Sequence, residues 1–377
     1  MLAATRAHLR RSVAGPADAA EALRELGRRA FQELGVVPAR ALTLVVAAPA
    51  ERVGEVLARL RETGRNHPSR VVLLAVLEGE QSDDGEIAAF AEVAGAPGDE
   101  TGRGMLRERV LLPVAAAARG RIGSLVAPLL VEDVPTVAWA PDLDDAWLDP
   151  LRGLCGAILF DARDRERPAA ALERAQRLAM AAHVVDLEWL RSEPWRLRVA
   201  ELFDPPPLRR ELWRMTSVEV RHAPESRTAA LLFCGWLASR LGWEVAPRTS
   251  GGEAARGDGG GATRRRARVV GSELAVSLRP DREMPVPGLA GVSIATEGGV
   301  AMRLDRGPGG LVLERTLPGP KRLRSVVLGA SRGERGILAE ALRQALLRDP
   351  SYRPALGEAL RLEGAVSDGE SLPGGAV

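Results

Sequence analysis

The sequence predicts an α/β protein of two domains, an N-terminal mostly parallel sheet covered by helices and a C-terminal α+β domain with a mixed or antiparallel sheet. Three observations carry that prediction. The chain has 377 residues, more than one hydrophobic core usually organises. Apolar β-type runs alternate with amphipathic helical patterns through the first half. The segment Leu187–Pro207, interrupted by Pro194 and the Pro205–Pro207 run, then breaks the rhythm and resists a helix running through it.

Strand candidates in the first domain are Leu42–Val46, Val71–Leu77, Val110–Val114, Val134–Ala138 and Ala157–Phe160. Between the first two, Val53, Val56, Leu57 and Leu60 recur at helical spacing, so one helix face packs on the sheet. Ile122, Leu125, Val126, Leu129 and Leu130 repeat the device, and Pro135 stops that helix before the next strand. Pro168 to Ala182 reads as a helix with its proline in the first turn. The expected division is residues 1–190 and 191–363, with 364–377 as a disordered tail. In the second domain Ser217–Val220 reads as a strand, and Arg227–Leu241 as a helix with Ala229, Leu232, Trp236 and Leu237 on one face. Residues 248–266 are Gly-rich, charged and aperiodic, which predicts a mobile surface loop. Glu273–Ser277, Gly291–Ala295, Ala301–Leu304 and Leu311–Arg315 supply the second sheet. A last helix opens at the capping-box pair Ser331 and Glu334 and turns Leu338, Leu342, Ala345 and Leu346 inward.

Composition excludes several function classes. A formal net charge of +2 argues against a dedicated nucleic-acid binder, which rests on a strong basic excess. The densest basic run, Arg264–Arg266 with Arg268, has no interleaved aromatic residue and reads as a solvated face, with contact to an acidic partner surface as the second reading. Cys155 and Cys234 each sit in an apolar stretch with no second thiol or clustered histidine, so neither a disulfide framework nor a metal site is expected. No apolar run reaches the ~20 residues of a membrane span, and no secretory h-region follows the N-terminus, so a cytoplasmic protein is expected. Lys321 is the one lysine, and its surroundings lack the Gly-rich context of a P-loop.

The sharpest enzymatic candidate is the strand-to-helix turn carrying Gly329, Gly333 and Gly336. Its spacing matches neither the dinucleotide fingerprint nor a Walker loop. A turn capped by Ser331 is the plain reading. The alternative is an anion site of Ser331, Arg332 and Arg335, and with it a sugar-phosphate or nucleotide-binding enzyme. No G-x-S-x-G elbow occurs, His8, His67, His183 and His222 are scattered, and Asp133, Asp142, Asp144 and Asp145 lie in a proline-flanked loop suited to solvation. No catalytic residue, cofactor or metal follows. Seven Trp stand against one Tyr. Trp189, Trp195 and Trp213 fall near the proposed boundary among arginines, residue types that serve both cores and interface hot spots.

Five segments carry a family resemblance. They are Asn66-His67-Pro68-Ser69-Arg70-Val71-Val72; Pro128-Leu129-Leu130-Val131-Glu132-Asp133-Val134-Pro135 leading to Trp139; Asp186-Leu187-Glu188-Trp189 with Pro194-Trp195-Arg196; Gly235-Trp236-Leu237-Ala238-Ser239-Arg240-Leu241-Gly242-Trp243; and Asp349-Pro350-Ser351-Tyr352. In that order they resemble the OpcA family of glucose-6-phosphate dehydrogenase assembly proteins. The resemblance implies a non-catalytic partner and allosteric activator of glucose-6-phosphate dehydrogenase, at the entry to the pentose phosphate pathway of carbohydrate metabolism. It suggests that Asn66, His67, Pro68, Ser69 and Arg70, together with Trp139, Trp189, Trp195 and Arg196, contact the dehydrogenase. The plain reading of Asn66–Ser69 is a turn. The Gly/Arg-rich insertion and the two embedded cysteines depart from the family pattern and give no support to a thiol switch.

Overall fold

A computed structural model describes residues 7–35, 40–63, 69–78, 88–96, 105–164, 166–245, 263–269, 272–317, 322–328 and 333–364. The chain divides into two compact units and crosses between them more than once. The first comprises Met1–Phe160, Ala182–Val185 and Glu334–Arg348, and the second Asp161–Ala181, Asp186–Gly333 and Asp349–Val377.

The strands of the first sheet are β1 (Ala7–Ser12), β2 (Leu42–Pro49), β3 (Ser69–Leu77), β4 (Phe90–Ala96), β5 (Met105–Ala115), β6 (Thr136–Trp139), β7 (Ala157–Phe160) and β8 (Val184–Asp186), ordered β1-β4-β5-β3-β2-β6-β7-β8; all belong to the first unit except Asp186, the last residue of β8. The pairs β2–β3, β3–β5, β2–β6 and β6–β7 are parallel, whereas β4 joins β5 and β1 joins β4 antiparallel. Every residue of β2 is buried, as expected of a parallel strand covered on both faces. Helices α1 (Pro16–Leu34), α2 (Val53–Thr63) and α3 (Ile122–Val126) belong to this unit.

The predicted parallel sheet is present, with β1, β4 and β8 added to the five strands read from the sequence. The helix expected through Leu130 is shorter. A 3-10 turn precedes α3 and a second one, Ala127–Leu129, follows it. Pro128 has no N–H to donate back along the helix, so the α pattern cannot run through it.

The second unit holds α4 (Pro168–Ala181), α5 (Leu187–Arg191), α6 (Glu193–Phe203), α7 (Pro206–Arg209) and α8 (Arg227–Leu241). As the prolines predict, no single helix runs through Leu187–Pro207, which is divided instead among the short helices α5, α6 and α7. Pro194 and Pro206 each stand in a first turn, where a missing N–H costs nothing. The sheet is β10-β11-β12-β9-β13-β14-β15-β16. Its strands are β9 (Met215–His222), β10 (Glu244–Val245), β11 (Thr263–Val269), β12 (Ser272–Pro280), β13 (Leu289–Thr296), β14 (Ala301–Gly307), β15 (Gly310–Thr316) and β16 (Arg322–Leu328). All neighbours are antiparallel except β12 and β9. This is the mixed sheet that was predicted. Along β12 buried Leu274, Val276 and Leu278 alternate with more exposed residues, so one face packs and the other meets solvent.

Thr263–Arg266, expected within the mobile loop, lie in β11 and pair with β12 through Arg264–Ser277 and Arg266–Ala275. Residues 246–262 lie outside the described residues, as does the expected tail from 365 onward. Helices α9 (Gly333–Gln344) and α10 (Tyr352–Glu363) complete the chain. Leu338, Leu342 and Ala345 are buried as predicted, but Leu346, beyond the end of α9, is exposed. Helix α10 was not anticipated. It crosses α8 closely at Gly235, where an added Cβ would lie 2.1 Å from the Ala355 carbonyl oxygen.

Candidate functional site

Several of the residues singled out from the sequence take part in two side-chain clusters, one in each unit. In the first unit the organising group is Glu108, within β5. Arg40 donates to it from Nε at 2.7 Å, and Arg70 from Nε at 2.8 Å. A second Arg70 nitrogen donates to the Leu129 carbonyl at 2.9 Å. Arg70 therefore joins two of the five resemblance segments, the one beginning at Asn66 and the one beginning at Pro128. Burial alone would raise the Glu108 carboxyl, but the hydrogen bonds and charges of Arg40 and Arg70 outweigh it and hold the group below the usual carboxylate range. Ser69 and Arg70 are both buried, and Trp139 is buried in β6 with the Arg59 guanidinium 4.8 Å from its ring centre. Asn66, His67 and Pro68 lie outside the described residues.

In the second unit the segments beginning at Asp186 and Asp349 meet. Asp186 caps α5 by accepting from the Glu188 amide at 3.0 Å, and also accepts from the Ala162 amide at 3.1 Å and the Tyr352 hydroxyl at 2.9 Å. The Trp189 indole donates to Asp349 at 2.7 Å, its ring lies 5.5 Å from that of Tyr352, and the Arg196 guanidinium stacks 3.4 Å above it. Arg196 also donates to the Trp189 carbonyl at 2.7 Å. Trp195 is 1% exposed and Trp189 3%. The side chains expected to meet a partner are thus interior, and direct contact through them would require the unit to open.

Three carboxyls share this interior. Arg191 forks onto both oxygens of Asp161 at 2.8 and 3.0 Å. Burial acts to raise Asp161, yet Arg191 and Arg163 prevail and lower it. Glu188 receives the Ser226 hydroxyl at 3.0 Å, and that hydroxyl in turn accepts from the Gly288 amide at 2.9 Å. The second oxygen of Glu188 is buried without a hydrogen-bond partner. Burial, against which Arg191 is insufficient, pushes Glu188 up to about 8; burial and the neighbouring Asp161 push Asp186 up to about 6.

Other expectations resolve simply. Asp144 caps a 3-10 turn at the Ala146 amide, and Asp133, Asp142 and Asp144 are exposed, the solvated arrangement read from the sequence. Burial pushes the thiols of Cys155 and Cys234 up to about 12, which leaves them unreactive near neutrality. Ser331 and Arg332 lie outside the described residues, and Arg335 is described only as part of the α9 backbone. Among the described residues no group of three or more His, Cys, Asp or Glu is placed to hold a metal ion.

Sequence reading missed Asp161, Arg191, Ser226 and Glu108. It also missed a half-open hollow of about 370 Å³ on the first unit's sheet, where His8, Arg10, Glu92, Arg107 and Arg109 meet Ser69. The signal for the hollow was present in Arg107-Glu108-Arg109. In a strand, alternation puts both arginines on one face and the glutamate on the other.

The chain matches two domain families, described as the N-terminal and the C-terminal domain of a glucose-6-phosphate dehydrogenase subunit. Residues 60–177 match the N-terminal domain and residues 182–356 the C-terminal one. Among curated proteins it is 30% identical over 206 residues to a protein of Synechococcus elongatus named as OxPP cycle protein OpcA, covering 53% of this chain and 45% of that one. It is 29% identical over 187 residues to the protein of the same name in Nostoc punctiforme, covering 48% and 40%. The chain therefore spans less than half the length of the curated relatives it matches. A solved structure titled as an oxidoreductase of Magnetospirillum magnetotacticum superposes with a TM-score of 0.45 at 13% identity, over 87% of this chain and 100% of that one, a likeness too slight to carry an argument. With both halves matched in order by the two domains of one family, and with relatives bearing that family's name, the chain belongs to the OpcA family of glucose-6-phosphate dehydrogenase subunits.

Proposed function

We propose that the protein is a non-catalytic assembly factor and activator of glucose-6-phosphate dehydrogenase that acts by protein–protein binding. The observation that carries this reading is the match of both halves to domains described as parts of a subunit of that enzyme. The chemistry of the interior agrees in kind. The most strongly shifted carboxyls, Asp186 and Glu188, are enclosed and hydrogen-bonded to their own unit, so their role is to hold a shape. A binder that prefers the assembled dehydrogenase over the unassembled one shifts the population by that difference in affinity alone.

Asn66, His67 and Pro68 are the proposed contact on the first unit, with the buried Ser69 and Arg70 anchoring the segment. Trp139, Trp189, Trp195 and Arg196 take part by fixing the surfaces above them. No helix among the described residues is long and apolar enough to cross a membrane, and a cytoplasmic setting belongs to the same reading. The test is sedimentation of this protein mixed with the dehydrogenase of the same organism. A faster species containing both chains is expected, reduced by His67→Ala. Unchanged sedimentation of the two components would overturn the proposal.

A further inference from the structure

The hollow on the first unit's sheet has a built origin. Two cross-strand rows form its floor. One runs Leu44, Val71, Arg109, Glu92, Arg10, and the next places Arg107 beside Ala94 and Ala94 beside His8. Ala94 and Ser69 are small, so the sheet is dished where they stand and the long arginines form the rim. Leu60 of α2 and Leu342 of α9 make an apolar wall. Glu108 also borders the hollow, but its carboxylate is engaged with Arg40 and Arg70.

Among the described lining residues, the guanidinium groups of Arg10, Arg107 and Arg109 stand around the hollow with the carboxylate of Glu92. The imidazole of His8 lies 3.4 Å from Glu92 and Arg109 lies 3.5 Å from it. Arg10 is held in place by stacking 3.7 Å above the Phe90 ring. The hollow also lies toward the amino ends of β3 and β5, away from the carboxyl ends where open α/β sheets usually bind ligands. It is therefore separate from the usual crevice of such a fold.

We propose that this hollow binds a small phosphate monoester carried on a hydroxylated body. Guanidinium forks match phosphate oxygens. Glu92 accepts from a hydroxyl of the body, and the leucine wall covers its carbon skeleton. The volume suits a ligand of sugar or mononucleotide size, within the range of small-molecule sites.

The test is calorimetric titration of the full chain alone, in phosphate-free buffer at fixed ionic strength, so its result is independent of the assembly reading. The probes are glucose 6-phosphate, adenosine monophosphate, inorganic phosphate and glucose. Saturable binding of one ester is expected, at least about tenfold tighter than inorganic phosphate or glucose, and which ester binds identifies the body. Arg107→Gln and Arg10→Gln should each weaken it by about tenfold or more, while Arg119→Gln, which removes the same charge at an exposed turn elsewhere, leaves it unchanged. Arg10 lies on an exposed strand, so its variant serves if the other fails to fold. No saturable ester binding, equal affinity for ester and inorganic phosphate, or equal weakening by Arg119→Gln would overturn the proposal.

Discussion

Glu108 in the first unit and Glu188 in the second are both buried glutamates beside arginines, yet they are tuned in opposite directions. Glu108 faces the guanidinium groups of Arg40 and Arg70, which outweigh burial, and its ionised form is favoured. Glu188 has Arg191 nearby at 3.3 Å, but that arginine is already forked onto Asp161, and Asp161 and Asp186 add negative charge. The difference teaches that burial sets the cost of a charge while the local count of opposing charges decides whether it is met. The first cluster is an ion-paired tie between segments. The second is a proton-holding interior.

The largest effect is expected for Glu108→Ala. It leaves the buried Arg70 without its carboxylate, a loss of about 3–5 kcal/mol by analogy with other broken buried pairs, read by denaturant unfolding. Because the folded state lowers the Glu108 pKa, its contribution is present above the ordinary glutamate range and fades as pH falls through the folded value. The variant should therefore lose least at acid pH. A deficit that grows toward acid pH would break the contrast.

Tyr352→Phe comes next. It removes the hydroxyl that Asp186 accepts at 2.9 Å and should cost about 1–2 kcal/mol, with the Asp186 titration, followed by carboxyl NMR, moving further upward. Glu188→Gln should have the smallest effect at pH 6, under about 1 kcal/mol. Its pH dependence carries the information. A carboxyl whose folded pKa is raised to about 8 contributes most below the ordinary glutamate range, and that contribution is lost as pH rises toward about 8. Glutamine bears no charge, so the variant should become the more stable protein by pH 9. A difference from the parent that stays constant between pH 6 and pH 9 would remove the distinction between the two clusters.

Much of the fold was legible because its signals are local. The apolar runs at Leu42–Val46 and Val71–Leu77 are long enough to show buried parallel strands, and Arg227–Leu241 is a helix over its full predicted span. Strand β1, with the sequence AHLRRS, shows no such run. It is a strand because β4 supplies its hydrogen bonds, which no window along the chain reveals. The prolines of Leu187–Pro207 marked the breaks but not the short helices between them, because Pro194 and Pro206 break helices only in their interiors and favour first turns.

The clusters were half legible. The segments that resemble the family contain Asp186, Glu188, Trp189, Arg196 and Tyr352. Their closing partners Asp161, Arg191 and Ser226 are polar residues of no particular pattern, and only tertiary structure brings them within hydrogen-bond distance. Contact surface and core could not be told apart for Trp189 and Trp195, since both roles select the same residue type.

On the proposed function, the chain promotes assembly of an active dehydrogenase by binding it. The most direct measurement is the specific activity and the mass of glucose-6-phosphate dehydrogenase across a dilution series, with and without this protein. The protein is expected to shift both the half-assembly point and the half-activity point to lower dehydrogenase concentration, together and in proportion to the protein added. Mass and activity curves that coincide with and without it would contradict the claim.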